Sequence, residues 1–232
     1  MKAPNPFHHL RLAALALVAF LAAGTGAYGA FDIPGYPVEI GGNDPREIAM
    51  LPRYCIFTPT FVQAGVPGSN DVQALNHWKS VLGETYKGMH HYCWALMKTN
   101  RANLLAPDRP TRQAWLEVSI GDFDYVIAIA PKDFVLLPEI LTKKGENLIA
   151  LGRGMQGMGE MLRAIDLKPD YWPPYAQLSD YYKANGDRQK AREFLEKGLS
   201  LSPDATALKR RLAELNTTKD VRKTPPQPAK EK

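Results

Sequence analysis

The feature of this chain that most constrains its fold is a repeat of 34 residues in its carboxyl-terminal half. Residues recur at that spacing in the pairs Gly145 and Ser179, Leu148 and Tyr182, Gly152 and Gly186, Gly157 and Ala191, Ala164 and Gly198, Leu167 and Leu201, and Pro169 and Pro203. A fixed period of this length is typical of stacked helical hairpins, each packed on its neighbours. The pattern therefore predicts an all-α architecture and does not by itself name an activity.

The later copy of the repeat predicts two helices joined by a tight turn. Its apolar residues lie on one helical face of residues 173–183. Gly186 is placed to end this helix, and Asp187 is placed to cap the next one. The second helix carries the small residues Ala191 and Gly198, which would allow the two helices to approach closely.

The sequence of this later copy resembles the tetratricopeptide repeat. The residues that carry the resemblance are Tyr175, Leu178, Ser179, Tyr182, Gly186, Ala191, Leu195, Gly198, Leu201 and Pro203. The resemblance implies a helical-hairpin solenoid that binds other proteins and is not an enzyme. The clearest repeats are then residues 138–169 and 172–203, and residues 205–215 form a cap helix.

The earlier copy of the repeat is rich in glycine. Gly157 stands where the family usually has alanine, and Gly154 and Gly159 lie close to it. Glycine inside a helix costs roughly 1 kcal/mol relative to alanine. We therefore expect the second helix of this copy to be less stable than its counterpart in the later copy.

The first 29 residues resemble a secretory signal peptide. Lys2 and Arg11 precede an apolar run at residues 12–23, and small residues before Ala30 provide a cleavage site. The run is too short for a comfortable membrane span, and an uncleaved anchor is the alternative. The pattern predicts a periplasmic or secreted protein of the bacterial envelope, with no stable membrane span after cleavage. Residues 51–55 and 90–94 resemble the leading region of exported proteobacterial repeat proteins, which implies a protein of that type.

The mature chain divides into three parts by composition. Residues 30–70 are rich in proline and glycine, which predicts an irregular N-terminal arm. Residues 71–215 would form the helical domain, and residues 216–232 form a basic, proline-rich tail that we expect to be disordered. Because the tail carries most of the net charge of +5, the folded body is close to neutral, which argues against a nucleic-acid partner.

Three further helices are predicted before the repeats. Residues 71–86 have apolar side chains at helical spacing, and residues 89–105 and 111–129 continue the pattern as a degenerate first hairpin. Valine and isoleucine are frequent in residues 114–130, and a strand there is the alternative. On the helical interpretation the domain is a stack of about eight helices with the arm packed on it.

Cys55 and Cys93 are the only cysteines of the chain. An oxidising compartment favours a disulfide between them, which would pin the arm to the helix that carries Cys93. The alternative function is a periplasmic metal- or redox-active protein that uses His90, His91 and Cys93. His91 would point about 100° away from His90 on a helix, so our main expectation is that no metal is bound.

Residues 152–157 have the G-x-G-x-x-G spacing of a dinucleotide-binding loop. Such a loop must follow a strand, whereas a helical pattern precedes this one, so we interpret the glycines as structural and expect no cofactor. Met155, Met158 and Met161 are interpreted as core packing in the same segment.

In the tetratricopeptide family the first helix of each hairpin lines a concave groove. The resemblance therefore implies partner-binding residues from both copies, and Trp172 is added because it is an aromatic residue outside the core positions of the repeat. The set is Glu139, Thr142, Glu146, Ile149, Trp172, Ala176, Asp180 and Lys183. Carboxylates slightly outnumber cations in this set, which favours a basic or mixed peptide. The sequence thus predicts a non-enzymatic scaffold, without catalytic residues, that binds a protein or peptide in the envelope.

Overall fold

The computed structural model describes residues 44–221. The predicted signal peptide, the start of the arm and residues 222–232 lie outside this range. The described residues form α1 (Pro45–Ala49), α2 (Pro59–Gln63), α3 (Val72–Leu82), α4 (Met89–Leu104), α5 (Arg109–Ile129), α6 (Leu137–Ala150), α7 (Gly154–Leu167), α8 (Pro173–Ala184), α9 (Arg188–Leu201) and α10 (Thr206–Val221). Two 3₁₀ segments, Arg53–Phe57 and Gly83–Gly88, complete them.

The all-α, helical-hairpin prediction is confirmed. Between residues 44 and 221 no strand occurs, and the alternative of a strand in residues 114–130 is wrong because that segment lies almost entirely in α5. The Asp108 carboxylate caps this helix, and Pro110 occupies its first turn, where no backbone N–H is needed. The structure agrees with our interpretation that the glycines at 152–157 are structural, since α6 and not a strand precedes Gly152.

The two repeat copies fold into equivalent hairpins. Helix α6 packs on α7, α8 packs on α9, and α10 packs on the later pair. Gly152 and Gly186 end the first helix of each hairpin with φ values of 83° and 84°. These left-handed values are accessible chiefly to glycine, so the same residue makes the same turn in both copies. Asp187 then caps α9 by accepting a hydrogen bond from the Lys190 backbone N–H.

The glycine-rich hairpin is packed backbone against backbone. A Cβ atom added to Gly157 would lie 2.6 Å from the Gly145 carbonyl oxygen, and one added to Gly145 would lie 2.7 Å from the Gly157 carbonyl oxygen. No side chain fits at such separations, which explains why glycine stands in α7 where Ala191 stands in α9. That α7 is less stable than α9 stays a prediction.

The arm contains more regular structure than the sequence indicates. Its described part, residues 44–70, includes α1, α2 and a 3₁₀ segment. The Tyr86 hydroxyl donates to the Phe57 carbonyl oxygen at 2.8 Å, which ties this part to the segment after α3. The sulfur atoms of Cys55 and Cys93 lie at bonding distance, with 5.7 Å between the two Cα atoms. Formation of the bond in the protein itself stays a prediction.

Buried residues form two clusters along the stack. One cluster involves α4, α5 and α6 with the arm, and it includes Tyr92, Phe123 and Ile140. The other joins α7 to α10 and includes Tyr175 and Leu208. Both clusters follow the helical periodicity, because one apolar stripe of each helix faces its neighbours.

Two details of the carboxyl-terminal half differ from the sequence interpretation. Met161 is fully buried and Met158 packs partly against the core, but Met155 is 84% exposed, so its assignment to the core is wrong. Helix α10 continues to Val221, so residues 216–221, which we predicted as part of a disordered tail, are helical. Within residues 44–221, none of the helices combines the length and the apolar character needed to cross a bilayer.

Candidate functional site

Helices α6, α8 and α10 contribute side chains to one concave surface. Equivalent positions recur on them at the 34-residue spacing, in the rows Glu139, Pro173 and Ala207; Thr142, Ala176 and Arg210; and Lys143, Gln177 and Arg211. With Glu146, Tyr171 and Trp172, these residues line a cavity of about 420 Å³, called the groove cavity below. The repeat therefore builds this surface by placing the same three helical positions side by side.

The α6 side of the groove cavity carries a carboxylate whose partner is a phenol. The Tyr92 hydroxyl donates a hydrogen bond to Glu139 Oε1 at 2.6 Å. Burial raises the pKa of Tyr92 well above its ordinary value, and the neighbouring Tyr54 and Glu139 raise it further. The phenol therefore keeps its proton at neutral pH and donates a hydrogen bond to the Glu139 carboxylate.

Two more tyrosines lie near Glu139. Burial raises the pKa of Tyr171, with added contributions from the charges of Glu139 and Glu146. The pKa of Tyr54 is raised by burial first and by Glu139 second. Glu139 thus has one neutral phenol as its hydrogen-bond partner, and its charge acts on two further tyrosines.

The other charged side chains of the groove cavity have ion-pair partners. Lys143 Nζ lies 3.0 Å from Glu146 Oε2 on the same helix. Arg211 Nε lies 2.9 Å from Asp180 Oδ2, which links α10 to α8.

Arg210 Nε lies 3.8 Å from Glu214 Oε1, in an exposed pair along α10. Glu139 differs from these groups, because no ion pair of its carboxylate occurs among residues 44–221.

A second cavity, of about 440 Å³, continues the same surface. It is lined by Glu146, Ile149, Gln177, Asp180, Tyr181, Ala184 and Asn185. Glu146 and Gln177 line both cavities, so the two form one continuous path across α6 and α8. An extended peptide could lie along this path with successive side chains in the two cavities.

The structure places seven of the eight predicted groove residues on this path. Five of them line the groove cavity: Glu139, Thr142, Glu146, Trp172 and Ala176. Ile149 and Asp180 line the second cavity, whereas Lys183 is exposed and lines neither. Whether any of these residues binds a partner stays a prediction.

Sequence reasoning missed the contribution of α10. Ala207, Arg210 and Arg211 line the groove cavity, although the sequence predicts residues 205–215 only as a cap. Extending the 34-residue register by one more copy would have identified all three. The expectation that carboxylates outnumber cations is wrong, because Lys143, Arg210 and Arg211 balance the three acidic residues of the two cavities.

The alternative site at His90, His91 and Cys93 is not supported by the geometry. The His91 Nδ1 atom lies 2.8 Å from Asp122 Oδ1, and Asp122 also accepts a hydrogen bond from Lys98. The Cys93 sulfur is placed against that of Cys55. In the part of the chain that the structure describes, no three His, Cys, Asp or Glu side chains are grouped to hold a metal ion.

A larger cavity, of about 620 Å³, is lined by residues of α5, α6 and α7. Its central cation, Lys144, pairs with Asp124 at 2.7 Å and with Glu160 at 2.6 Å. Arg163 also pairs with Glu160, at 2.6 Å. Because these charges compensate one another, we assign no ligand to this cavity.

The fold and the groove define a class, the helical-hairpin repeat proteins with a concave binding surface. Residues 172–215 match the tetratricopeptide repeat family. The Hsp70-Hsp90 organizing protein of Triticum aestivum is 31% identical over 98 residues, which is 42% of this chain and 16% of that protein. The chain therefore spans about a sixth of the curated relative that it matches. Both matches support a tetratricopeptide-repeat protein and point to a non-catalytic interaction module.

Proposed function

We propose that this protein is an exported scaffold of the bacterial envelope that binds an extended segment of another protein along α6, α8 and α10. The observation that carries this proposal is the continuous path of two cavities, about 420 and 440 Å³, on equivalent faces of successive hairpins. A preformed concave surface lowers the ordering penalty of binding. The match to the tetratricopeptide repeat and the similarity to an organizing protein agree with an interaction role.

The groove combines an aromatic anchor with polar groups on both sides. Trp172 directly precedes α8 and keeps 36% of its surface exposed at the edge of the groove cavity. Exposed tryptophan is frequent among the residues that contribute most to protein interfaces. Export is supported by the basic residues and apolar run within residues 1–29.

Site-specific photo-crosslinking in intact cells tests this proposal. A benzophenone side chain at position 177 would report on the groove, and one at the exposed position 118 of α5 would serve as the control. We expect crosslinks to an envelope protein from position 177, lost on Trp172→Ala, and none from position 118. Equal crosslinking from both positions would contradict the groove assignment, and crosslinks confined to cytoplasmic proteins would contradict export.

A further inference from the structure

We infer that Glu139 is the recognition point for a lysine or arginine side chain of the bound segment. This inference rests on the proposed function and names the chemistry of the partner. It starts from the position of Glu139, whose carboxylate is half-buried at the groove cavity and has a phenol as its hydrogen-bond partner.

A half-buried carboxylate without a counter-ion is energetically unfavourable, because burial removes part of its hydration. The hydrogen bond from Tyr92 stabilises the ionised form but leaves the negative charge uncompensated. An ammonium or guanidinium group that enters the cavity supplies the missing charge. Binding of a neutral or acidic side chain at this point would instead remove water from Glu139 without compensation.

The cations that line the groove cavity do not oppose such a ligand. Lys143 is paired with Glu146, and Arg211 is paired with Asp180. Arg210 is directed along α10 to Glu214. Once these pairs are taken into account, the carboxylate of Glu139 is the charge left without a cationic partner in this part of the described chain.

Aromatic rings complete the chemistry around the carboxylate. Tyr171 and Trp172 line the same cavity as Glu139. Aromatic faces attract ammonium and guanidinium groups, and they also pack against the apolar stem of lysine or arginine. A cavity that combines a carboxylate outside any ion pair of the described chain with two aromatic rings therefore favours a long cationic side chain.

The position of Glu139 depends on residues next to the two cysteines. Tyr92 precedes Cys93, and Tyr54 precedes Cys55. Tyr92 is fully buried, and its hydroxyl donates a hydrogen bond to Glu139 Oε1. We assign Tyr92 as a positioning residue, which acts on the ligand through the Glu139 carboxylate.

Titration of the whole chain by NMR, with N-acetyl-lysine N-methylamide as the probe, tests this inference. The neutral control ligand is N-acetyl-norleucine N-methylamide, which has the same kind of apolar stem and no ammonium group. We expect saturable shifts of the Trp172 indole and Gln177 amide signals by the lysine compound, with a Kd on the order of 1 mM or weaker. Absence of such shifts, or equal shifts by the norleucine compound, would overturn the inference.

Three variants make the titration specific. Glu139→Gln should weaken lysine binding about tenfold or more, since it removes a charged partner. Glu84→Gln is the matched control, because Glu84 lies outside the groove and its carboxylate has a lysine partner, Lys87, so this variant should change affinity little. Tyr92→Phe should weaken lysine binding about threefold and leave norleucine unaffected. An equal loss in the Glu84→Gln and Glu139→Gln variants would contradict a special role for Glu139.

The outcome is separable from that of the proposed function. If photo-crosslinks from position 177 persist unchanged in the Glu139→Gln variant, the groove binds a partner and the inference about the cation is wrong. If the crosslinks themselves are absent while lysine binding is intact, the scaffold function fails and the cation site stands.

Discussion

The two halves of the helical stack are held together by different kinds of contact. From α1 to α5, single contacts join residues far apart in sequence, such as the ion pair of Glu47 with Arg101 and the sulfur atoms of Cys55 and Cys93. From α6 to α10, the same contacts recur with the repeat, as in the turns at Gly152 and Gly186. The first half is therefore fixed by contacts that occur once, and the second by local geometry that is copied.

This difference has a consequence for stability. A repeated hairpin gains its stability from its own packing and from its nearest neighbours, so the loss of one contact is felt locally. A link between the arm and α4 closes a long loop, so its loss weakens the attachment of the arm as a whole. The predictions below test this contrast from the largest expected effect to the smallest.

The largest effect is expected for the ion pair between the arm and α4. The Arg101 guanidinium holds the Glu47 carboxylate through two hydrogen bonds, of 2.6 and 2.7 Å, and the two side chains are only 9% and 4% exposed. Glu47→Gln removes the negative charge that this buried guanidinium contacts. We expect the free energy of unfolding, measured by urea denaturation, to fall by about 3 to 5 kcal/mol.

Glu84→Gln provides the matched control for this substitution. Glu84 pairs with Lys87 at 3.4 Å, and both side chains are almost fully exposed. Exposed pairs contribute about 0 to 1 kcal/mol, so the free energy of unfolding of this variant should be close to that of the wild type. Similar small losses in both variants would show that the arm contributes little to the stability of the first half.

The second prediction concerns Cys55 and Cys93. Replacing both by serine removes a crosslink that closes a loop of 38 residues. The chain-entropy estimate for such a loop is about 4 kcal/mol, and measured losses are often nearer ~2 kcal/mol. We expect the free energy of unfolding, measured by urea denaturation, to be about 2 to 4 kcal/mol higher for the oxidised wild type than for the double variant. Reductant should lower the free energy of unfolding of the wild type to that of the variant, because both then lack the crosslink.

The decisive outcome against this prediction comes from thiol chemistry. If mass spectrometry of the protein, purified without reductant, finds two alkylatable cysteines, the disulfide is absent in the protein. The contrast between the halves would then rest on the Glu47 ion pair alone.

How far the sequence predicts this structure depends on the same contrast. The helices of the two repeats, the turn at Gly186 and the cap at Asp187 are predictable, because helical periodicity and capping are local properties. The pairing of Glu47 with Arg101 is not, since 54 residues separate them and neither belongs to a motif. Single long-range contacts leave no periodic trace in one sequence.

The groove shows a further limit. Its α6 and α8 residues follow from the family resemblance, whereas Arg210 and Arg211 are missed when α10 is interpreted as a cap. The 34-residue repeat already predicts them, because Arg210 and Arg211 are the equivalents of Ala176 and Gln177 in the next copy. Tyr92 cannot be found in this way, since it reaches Glu139 from a hairpin outside the register.

The smallest effect is expected within the glycine-rich hairpin, where two substitutions in one helix should have opposite signs. Gly157→Ala gains roughly 1 kcal/mol of helix propensity. Its Cβ, however, would lie 2.6 Å from the Gly145 carbonyl oxygen, and such overpacking costs about 1 to 3 kcal/mol. The Cβ of Gly159→Ala would meet nothing within 4 Å, so this variant should be stabilised by up to about 1 kcal/mol.

The comparison of these two variants decides why glycine is present in α7. If Gly157→Ala lowers and Gly159→Ala raises the free energy of unfolding, Gly157 is required for the approach of α6, and only Gly159 is a weak point of the helix. If both variants are equally stabilised, the two backbones do not approach as closely as 2.6 Å implies. The lower stability expected of α7 would then result from the low helix propensity of its glycines alone. With alanine at these positions, α7 would be as stable as α9.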